Sequence, residues 1–303
     1  MTLDVRALRY FVQVAELGSV SLAARALNMA QPALSQRMAR LEDHLGVQLL
    51  LRSPRGVELT EDGRRLLEQA RIVLEQFRNI EEEIGRDAGE LRGSVTIGMP
   101  APTANALLIP LFRRVRAAHP GIRLRFEEAR TVSLLEGLLA GHFDLAVTAN
   151  EGESGRIEAV SLGRESLHVV GAAGSGLGET IEFAQLFTLP LAISSQVNEQ
   201  RTAMSLIARR MKGQVDIVLE STSLPTTKRL VADGDLYAIM TWSAVAEEVE
   251  RGSLRAARIV NPELPRPLFL CQVRDRRHSS AVQAVAAAVQ EAAAEAASAG
   301  TWR

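Results

Sequence analysis

The 303-residue chain holds a single cysteine, Cys271. That excludes an intrachain disulfide and any cysteine-based zinc site. Its five histidines, His44, His119, His142, His168 and His278, are scattered without metal-ligand spacing. No apolar run approaches the roughly 18 residues of a membrane span. Asp4 and Arg6 interrupt the N-terminus, so it lacks a signal-peptide pattern. Nucleotide and hydrolase signatures are missing too: there is no G-x-S-x-G, P-loop, H-E-x-x-H or complete G-x-G-x-x-G. The glycine-rich 174–178 (GSGLG) precedes no convincing helix start and reads as a loop. Ser194-Ser195 has no histidine and carboxylate at motif spacing. These absences argue against an enzyme, a cofactor, a metal and a membrane partner, and for a cytoplasmic protein. An overall basic excess is also lacking, at a net charge of -1. Nucleic-acid binding survives that, because it needs only a local patch. Hydrophobic residues at 47% and charged residues at 23% are ordinary for a globular chain long enough for two or three domains.

What is present is organised around SVSLAARALNMAQPALSQRMAR, residues 19–40. Two short helices with a tight connection fit it. The first covers 21–27, with Ser19 or Ser21 as cap. The second begins at Gln31-Pro32, since proline is favoured where its missing N–H has no partner anyway. Such a helix-turn-helix places its second helix in the DNA major groove. Leu34, Met38, Leu41 and Leu45 form one apolar stripe. Pro32, Ala33, Gln36 and Arg40 lie opposite. Gln can pair with adenine, a small methyl can meet a thymine methyl, and Arg40 can reach a phosphate. By pattern alone an ordinary amphipathic helix with a solvated face fits equally well.

Before this motif, a first helix over 3–15 places Leu8, Phe11, Val12 and Ala15 on one face and stops at Gly18. After it, the runs 47–51 and 57–59 flank Ser53-Pro54-Arg55-Gly56 and predict a hairpin, or wing, whose arginines reach phosphate or the minor groove. Thr60-Glu61-Asp62 then opens a long helix. Its residues Leu66, Ala70, Val73, Phe77, Ile80 and Ile84 repeat as a heptad seam, widened by Leu67 and Leu74. About 25 residues span about 38 Å, too long for one small domain to bury. A second copy of the helix is the expected partner, in a homodimer or dimer of dimers. Packing of the seam against its own domain is the alternative.

A polar hinge at 85–93 (GRDAGELRG) precedes a change of period. Strands at 95–99, 123–128 and 145–148 alternate with helices at 103–118 and 132–140. Strands at 190–193, 215–220 and 236–241 then alternate with helices at 198–212 and 226–232. Both series imply parallel sheets covered by helices. LLAGHFDLAVT (138–148) and LVADGDLYAIMT (230–241) share a glycine between helix and strand and a final threonine. Two similar lobes suggest a cleft. Candidate crossover strands are 166–171 and 268–273, and an alanine-rich helix at 279–297 returns to the first lobe.

The N-terminal segment resembles the winged helix-turn-helix of LysR-type transcriptional regulators. The matching residues are Leu8-Arg9-Tyr10-Phe11, the alanine-rich 21–27, Gln31-Pro32-Ala33-Leu34-Ser35, Leu41-Glu42, Leu45-Gly46, Leu49-Leu50, Arg52, Arg55-Gly56 and Leu59-Thr60-Glu61-Asp62-Gly63. The domain order extends the resemblance over essentially the whole chain. It implies DNA contacts at Gln31, Pro32, Ala33, Ser35 and Gln36, with Arg52 and Arg55 in the wing; Ser21 and the phosphate-reaching Arg40 complete the expected DNA-binding set. Many members carry arginine where this chain has Gln36, which leaves the base read there open. The resemblance also implies a C-terminal half like a type 2 periplasmic binding protein, with a small-molecule site between its lobes.

The expected architecture is therefore an α+β multidomain chain. Residues 1–60 form a winged helix-turn-helix, 61–92 a linker helix and hinge, and 93–303 a two-lobed α/β effector domain. Lobe I is 93–164 and 269–303; lobe II is 165–268. Ligands of parallel sheets bind beyond the C-terminal strand ends. Here those carry Pro100, Ala101, Thr103, Arg130, Thr131, Ser195, Asn198, Thr222 and Thr241. Hydroxyls, amides and helix N-termini converging there favour a carboxylate or other anion. The expected partners are a palindromic double-stranded operator, the effector, a second copy of the chain as dimer or tetramer, and RNA polymerase. The rival readings are an enzyme with a DNA-binding tag, a binding module that never touches DNA, and an architectural DNA binder. The last two leave either the cleft or residues 1–60 without a use.

Overall fold

The computed structural model describes residues 3–53, 56–84, 91–152, 154–194, 198–274, 278–300 and 302. The chain divides into two compact units, one of residues 1–90 with 136–143, the other of 91–135 with 144–303.

In the first unit, α1 (Val5–Leu17) starts where the Asp4 carboxylate accepts the Ala7 amide at 2.7 Å and stops at Gly18, φ +57°. Its buried face is Ala7, Leu8, Phe11 and Val14. Val12 and Ala15, expected on that face, are half-buried. The helix therefore turns its core stripe slightly toward the 3.6-residue series 7, 11, 14. Helix α2 (Val20–Ala26) is capped by Ser19, not Ser21. Helix α3 (Gln31–Leu45) has Pro32 in its first turn and ends at Gly46 in the left-handed conformation. Strands β1 (Leu50–Ser53) and β2 (Gly56–Leu59) pair antiparallel with Leu50 opposite Leu59. Glu42 Oε1 accepts the Leu49 and Leu50 amides at 2.8 and 3.0 Å, tying α3 to β1. The core is Ala7, Phe11, Val14, Ala23, Leu34, Met38, Leu41, Leu49 and Leu50.

Helix α4 (Glu61–Ile84) runs 24 residues, about 36 Å. The Thr60 hydroxyl accepts the Gly63 amide at 3.0 Å and donates to the Gln48 carbonyl at 2.7 Å. The expected seam splits in two. Leu66 and Leu67 pack on the core of their own unit and Ala70 is buried. Val73, Phe77 and Ile80 are 41%, 41% and 52% exposed. The alternative of self-packing thus holds for the first three turns, because α1 lies alongside and Arg71 pairs with Glu16 at 2.9 Å. The hinge positions 85–90 lie outside the described residues.

The second unit is a two-lobed α/β structure. In order its stretch of chain carries β3 (Arg92–Met99), α5 (Ala101–Ala118), β4 (Gly121–Glu128), α6 (Thr131–Leu139, of which 136–139 group with the first unit) and β5 (Leu145–Thr148). Then come β6 (Ile157–Ala172), β7 (Thr180–Glu182), a 3-10 turn (Phe183–Thr188), β8 (Leu191–Ser194) and α7 (Asn198–Arg210). Next are β9 (Ile217–Ser221), α8 (Leu224–Asp233), β10 (Tyr237–Thr241) and α9 (Trp242–Glu250). The chain closes with β11 (Leu254–Val260), β12 (Pro265–Val273) and α10 (Ser280–Ser298). Strand order is β4-β3-β5-β12-β6-β10-β8-β9, with β11 beside β6 and β7.

As expected, β3 is parallel to β4 and β5, and β8 to β9 and β10. The crossover strands are longer than expected and antiparallel. Strand β6 has 16 residues and pairs with β12 from Ile157↔Val273 to Ser166↔Pro265. Its N-terminal half carries exposed polar residues at irregular spacing, which hides it from a period-2 search. Helix α9 was missed because β10 passes into it at Thr241–Trp242 with no glycine or proline between. Strands β7 and β11 were also missed. The first lobe's core includes Ile97, Leu107, Leu111, Leu145, Val285 and Val289, so α10 does return to it. The second lobe's cores gather Leu167, Val169, Phe183, Leu191 and Ile239, and Val170, Val231, Ala238 and Val245. The two glycines of the internal similarity behave alike. Gly141 and Gly234 have φ +71° and +89°, and their amides bond Leu138 and Val231, each three residues back.

Candidate DNA-reading surface and ligand cleft

Helix α3 presents two sharply different faces. Leu34, Met38 and Leu41 are no more than 3% exposed. Gln31, Pro32, Ala33, Gln36 and Arg40 are exposed, and Ser35 is half-buried. The N-cap is Ala30, with no side-chain hydrogen bond to the first turn. Within the first turn Pro32 carries no N–H, and the Ala33 and Leu34 amides donate to the Ala30 carbonyl at 3.0 and 3.1 Å. Arg37, which the pattern did not single out, lies with its guanidinium 5.2 Å from the Tyr10 ring centroid. That contact holds α3 against α1 and leaves Gln36 and Arg40 as the polar edge. Ser21 is exposed one residue into α2. Arg52 occupies β1 opposite Val57, but its side chain, like all of Arg55, lies outside the described residues.

The second unit contains a cleft of about 1220 Å³ between its lobes. Of the expected residues, Pro100, Ala101, Arg130 and Thr131 line it from the first lobe, and Thr222 and Thr241 from the second. Thr103 does not line it: it is fully buried beneath the first turn of α5. Its neighbours Pro102 and Ala104 line the cleft, while the Thr103 hydroxyl is turned inward and accepts from Arg266 Nη1 at 3.5 Å. Ser195 lies outside the described residues, and Asn198 begins α7 with its side chain likewise undescribed.

Several wall residues were not anticipated. Lys228 on α8 donates to the Ala244 carbonyl at 2.9 Å and to Glu248 at 2.6 Å, joining α8 to α9. Arg266 on β12 reaches the wall from the crossover, paired with fully buried Glu165 at 2.8 Å. No spacing rule predicts that pair, since the two residues are 101 positions apart. Pro100 is the N-cap of α5 and Thr241 that of α9, neither with a side-chain capping hydrogen bond. The Thr241 hydroxyl pairs instead with Ser243 at 3.0 Å.

Cys271 is buried beside Thr148, sulfur to hydroxyl 3.3 Å. Burial pushes its pKa up and the Thr148 hydrogen bond only partly opposes that, so the group is a thiol rather than a reactive thiolate. Among the described residues no group of three or more His, Cys, Asp or Glu is placed to hold a metal. No helix among them is long and apolar enough to cross a membrane.

Two family models cover these two regions. Residues 5–64 match the bacterial regulatory helix-turn-helix protein of the lysR family, and residues 88–294 match the LysR substrate binding domain. The chain belongs to the LysR family.

LysR-family members are DNA-binding transcriptional regulators, not enzymes. Among curated LysR relatives, the nitrogen assimilation regulatory protein nac of Klebsiella aerogenes is 30% identical over 269 residues, 88% of each chain. Full-length OxyR from Pseudomonas aeruginosa matches the fold with a TM-score of 0.76 at 24% identity, covering 96% of this chain and 95% of that one. Full-length CbnR complexed with its target DNA matches with a TM-score of 0.70 at 22% identity, covering 96% and 100%. The protein is thus a LysR-type transcriptional regulator with a helix-turn-helix for DNA and a substrate-binding-type domain for a small molecule.

Proposed function

We propose that this regulator reads a palindromic operator as a dimer or dimer of dimers, and that a small anionic effector in the cleft sets its activity. Residues 1–60 then form the DNA-binding domain, 61–92 the linker and hinge, and 93–303 the effector domain. Its lobes are 93–164 with 269–303, and 165–268. Base contacts come from Gln31, Pro32, Ala33, Ser35 and Gln36, and backbone contacts from Ser21, Arg40, Arg52 and Arg55. The exposed Val73, Phe77 and Ile80 supply the pairing surface, since an unburied heptad seam is a coiled-coil interface. RNA polymerase is the further partner of the DNA-bound form.

The observation that carries the effector reading is a cleft whose walls come from both lobes, with Thr131 on one side and Thr222 and Thr241 on the other. A ligand bridging them binds the closed arrangement better than the open one, and only such a difference shifts a conformational equilibrium. Two helices begin at the cleft without side-chain caps, which favours negative charge there. The test is operator affinity with and without small organic acids, for the wild type and for Thr131→Val and Thr222→Val. The expected result is loss of effector response in the variants with unchanged affinity in its absence. A full response in both variants sinks the cleft assignment.

A further inference from the structure

Hydroxyls at strand ends leave one feature of the cleft unexplained. Arg266 on β12 stands opposite Glu165 on β6, in register across the two crossover strands. Arg266 is 6% exposed and Glu165 is 0% exposed. Burying an ion pair is expensive, and a well-packed apolar pair of like volume is often as stable. Stability alone is therefore a poor reason for this pair.

The pair is also incompletely satisfied. Arg266 Nη1 donates to Glu165 Oε2 at 2.8 Å and weakly to Thr103 Oγ1 at 3.5 Å. Both bonds use the same nitrogen. A guanidinium carries five N–H donors in a rigid fork, and the other two nitrogens have no partner among the described residues. Glu165 Oε1 is buried without a hydrogen bond. The unfilled donors of Arg266 border the cleft and call for an acceptor, whereas Glu165 Oε1 is itself an acceptor that only a donor could satisfy and is no argument for an anion. Arg266 itself forms part of the cleft wall. The wall's other cations differ: Lys228 is held by Glu248, and Arg130 is exposed.

We infer that Arg266 is the anchor for a carboxylate of the effector, with Glu165 as the positioning residue that holds its guanidinium against the cleft. This rests on the effector-cleft reading above and names the ligand class. The fork geometry suits a planar carboxylate, which accepts two parallel N–H bonds; an ammonium in its place would act only as a point charge. The location suits an anchor as well. Arg266 belongs to a strand shared by both lobes, so it remains beside the ligand whether they open or close.

The test uses the full chain and calorimetric titration at fixed ionic strength. The probes are acetate, succinate, 2-oxoglutarate and benzoate, each against its carboxamide. The expected wild-type result is at least one acid bound about tenfold or more tighter than its amide, the scale set by a charge-assisted pair. Arg266→Gln should bring acid and amide to equal affinity, and Arg266→Lys should give an intermediate ratio. Glu165→Ala should lose the preference, and Glu165→Gln should restore it, because its amide oxygen still accepts the Nη1 hydrogen. A merely structural pair would weaken acids and amides alike. A cooperative thermal transition of the effector unit at the wild-type midpoint certifies that each variant is folded, since operator binding reports only on the winged unit. The inference is overturned if no acid binds, if acid and amide bind the wild type equally, or if folded Arg266→Gln keeps the preference. Thr222→Trp, which fills the cleft, separates the two readings. If it leaves binding untouched, the cleft reading fails. If it abolishes binding while Arg266→Gln changes nothing, only the anchor fails.

Discussion

Gly63 lies directly against the backbone carbonyl of Leu49: a Cβ added at Gly63 would sit 2.2 Å from that oxygen. This close approach is what lets α4 start on top of β1, with Thr60 bonded to both Gln48 and Gly63. Two effects compete in Gly63→Ala. Alanine favours a helix over glycine by about 1 kcal/mol. Overpacking against rigid backbone costs about 1–3 kcal/mol or more, and the carbonyl has no rotamer by which to yield. The clash wins. Gly63→Ala should lower the thermal midpoint of the winged unit and weaken DNA binding; an unchanged or raised midpoint would show that the contact relaxes freely.

The exposed edge of α3 separates sequence reading from general attraction. Gln31→Ala and Gln36→Ala should each cost about 1–3 kcal/mol on the operator and little on random DNA, since a bidentate base contact is lost. Arg40→Ala removes a phosphate contact instead and should weaken binding to all sequences while flattening the salt dependence. Equal losses on operator and random DNA for the glutamine variants would remove them from base reading.

The outer half of α4 should pair with its own copy. Phe77 is 41% exposed although the winged core lies only a few turns away. Phe77→Glu buries a charge from each partner at once, which an apolar seam does not tolerate. Sedimentation should show a smaller species, together with lost operator affinity. An oligomer of unchanged size would place the interface elsewhere.

Cys271 should resist thiol reagents in the folded protein and react on unfolding, because burial both shields the sulfur and raises its pKa. The sign of the pH effect follows. The folded thiol holds its proton above the ordinary value of 9.0, so the unfolded chain ionises first. Stability contributed by this group is intact below that value and falls as pH rises through it. Denaturation midpoints of the wild type and Cys271→Ala, compared between neutral and alkaline pH, read the effect directly. A wild-type midpoint no more alkali-sensitive than the variant's contradicts it.

The sequence by itself determined the elements whose cause is local. The recognition helix was legible because Pro32 and Gly46 punctuate it and Leu34, Met38 and Leu41 share one face. The two parallel series were legible because glycines such as Gly141 and Gly234 end helices in the left-handed conformation, which side chains oppose. The candidate cleft was partly legible for the same reason: Pro100, Thr131 and Thr241 mark strand-to-helix transitions, and strand ends in parallel sheets gather on one side. Tertiary structure decided what depends on partners distant in the chain. It buried Thr103, whose hydroxyl is turned inward against Arg266 while Pro102 and Ala104 line the wall. It divided the α4 seam at Ala70, because α1 covers only the first turns. It set Arg266 beside Glu165, through antiparallel pairing of β6 with β12 that no short-range pattern encodes. Local periodicity reports which face of an element is apolar, whereas the register between remote strands decides which buried charges meet.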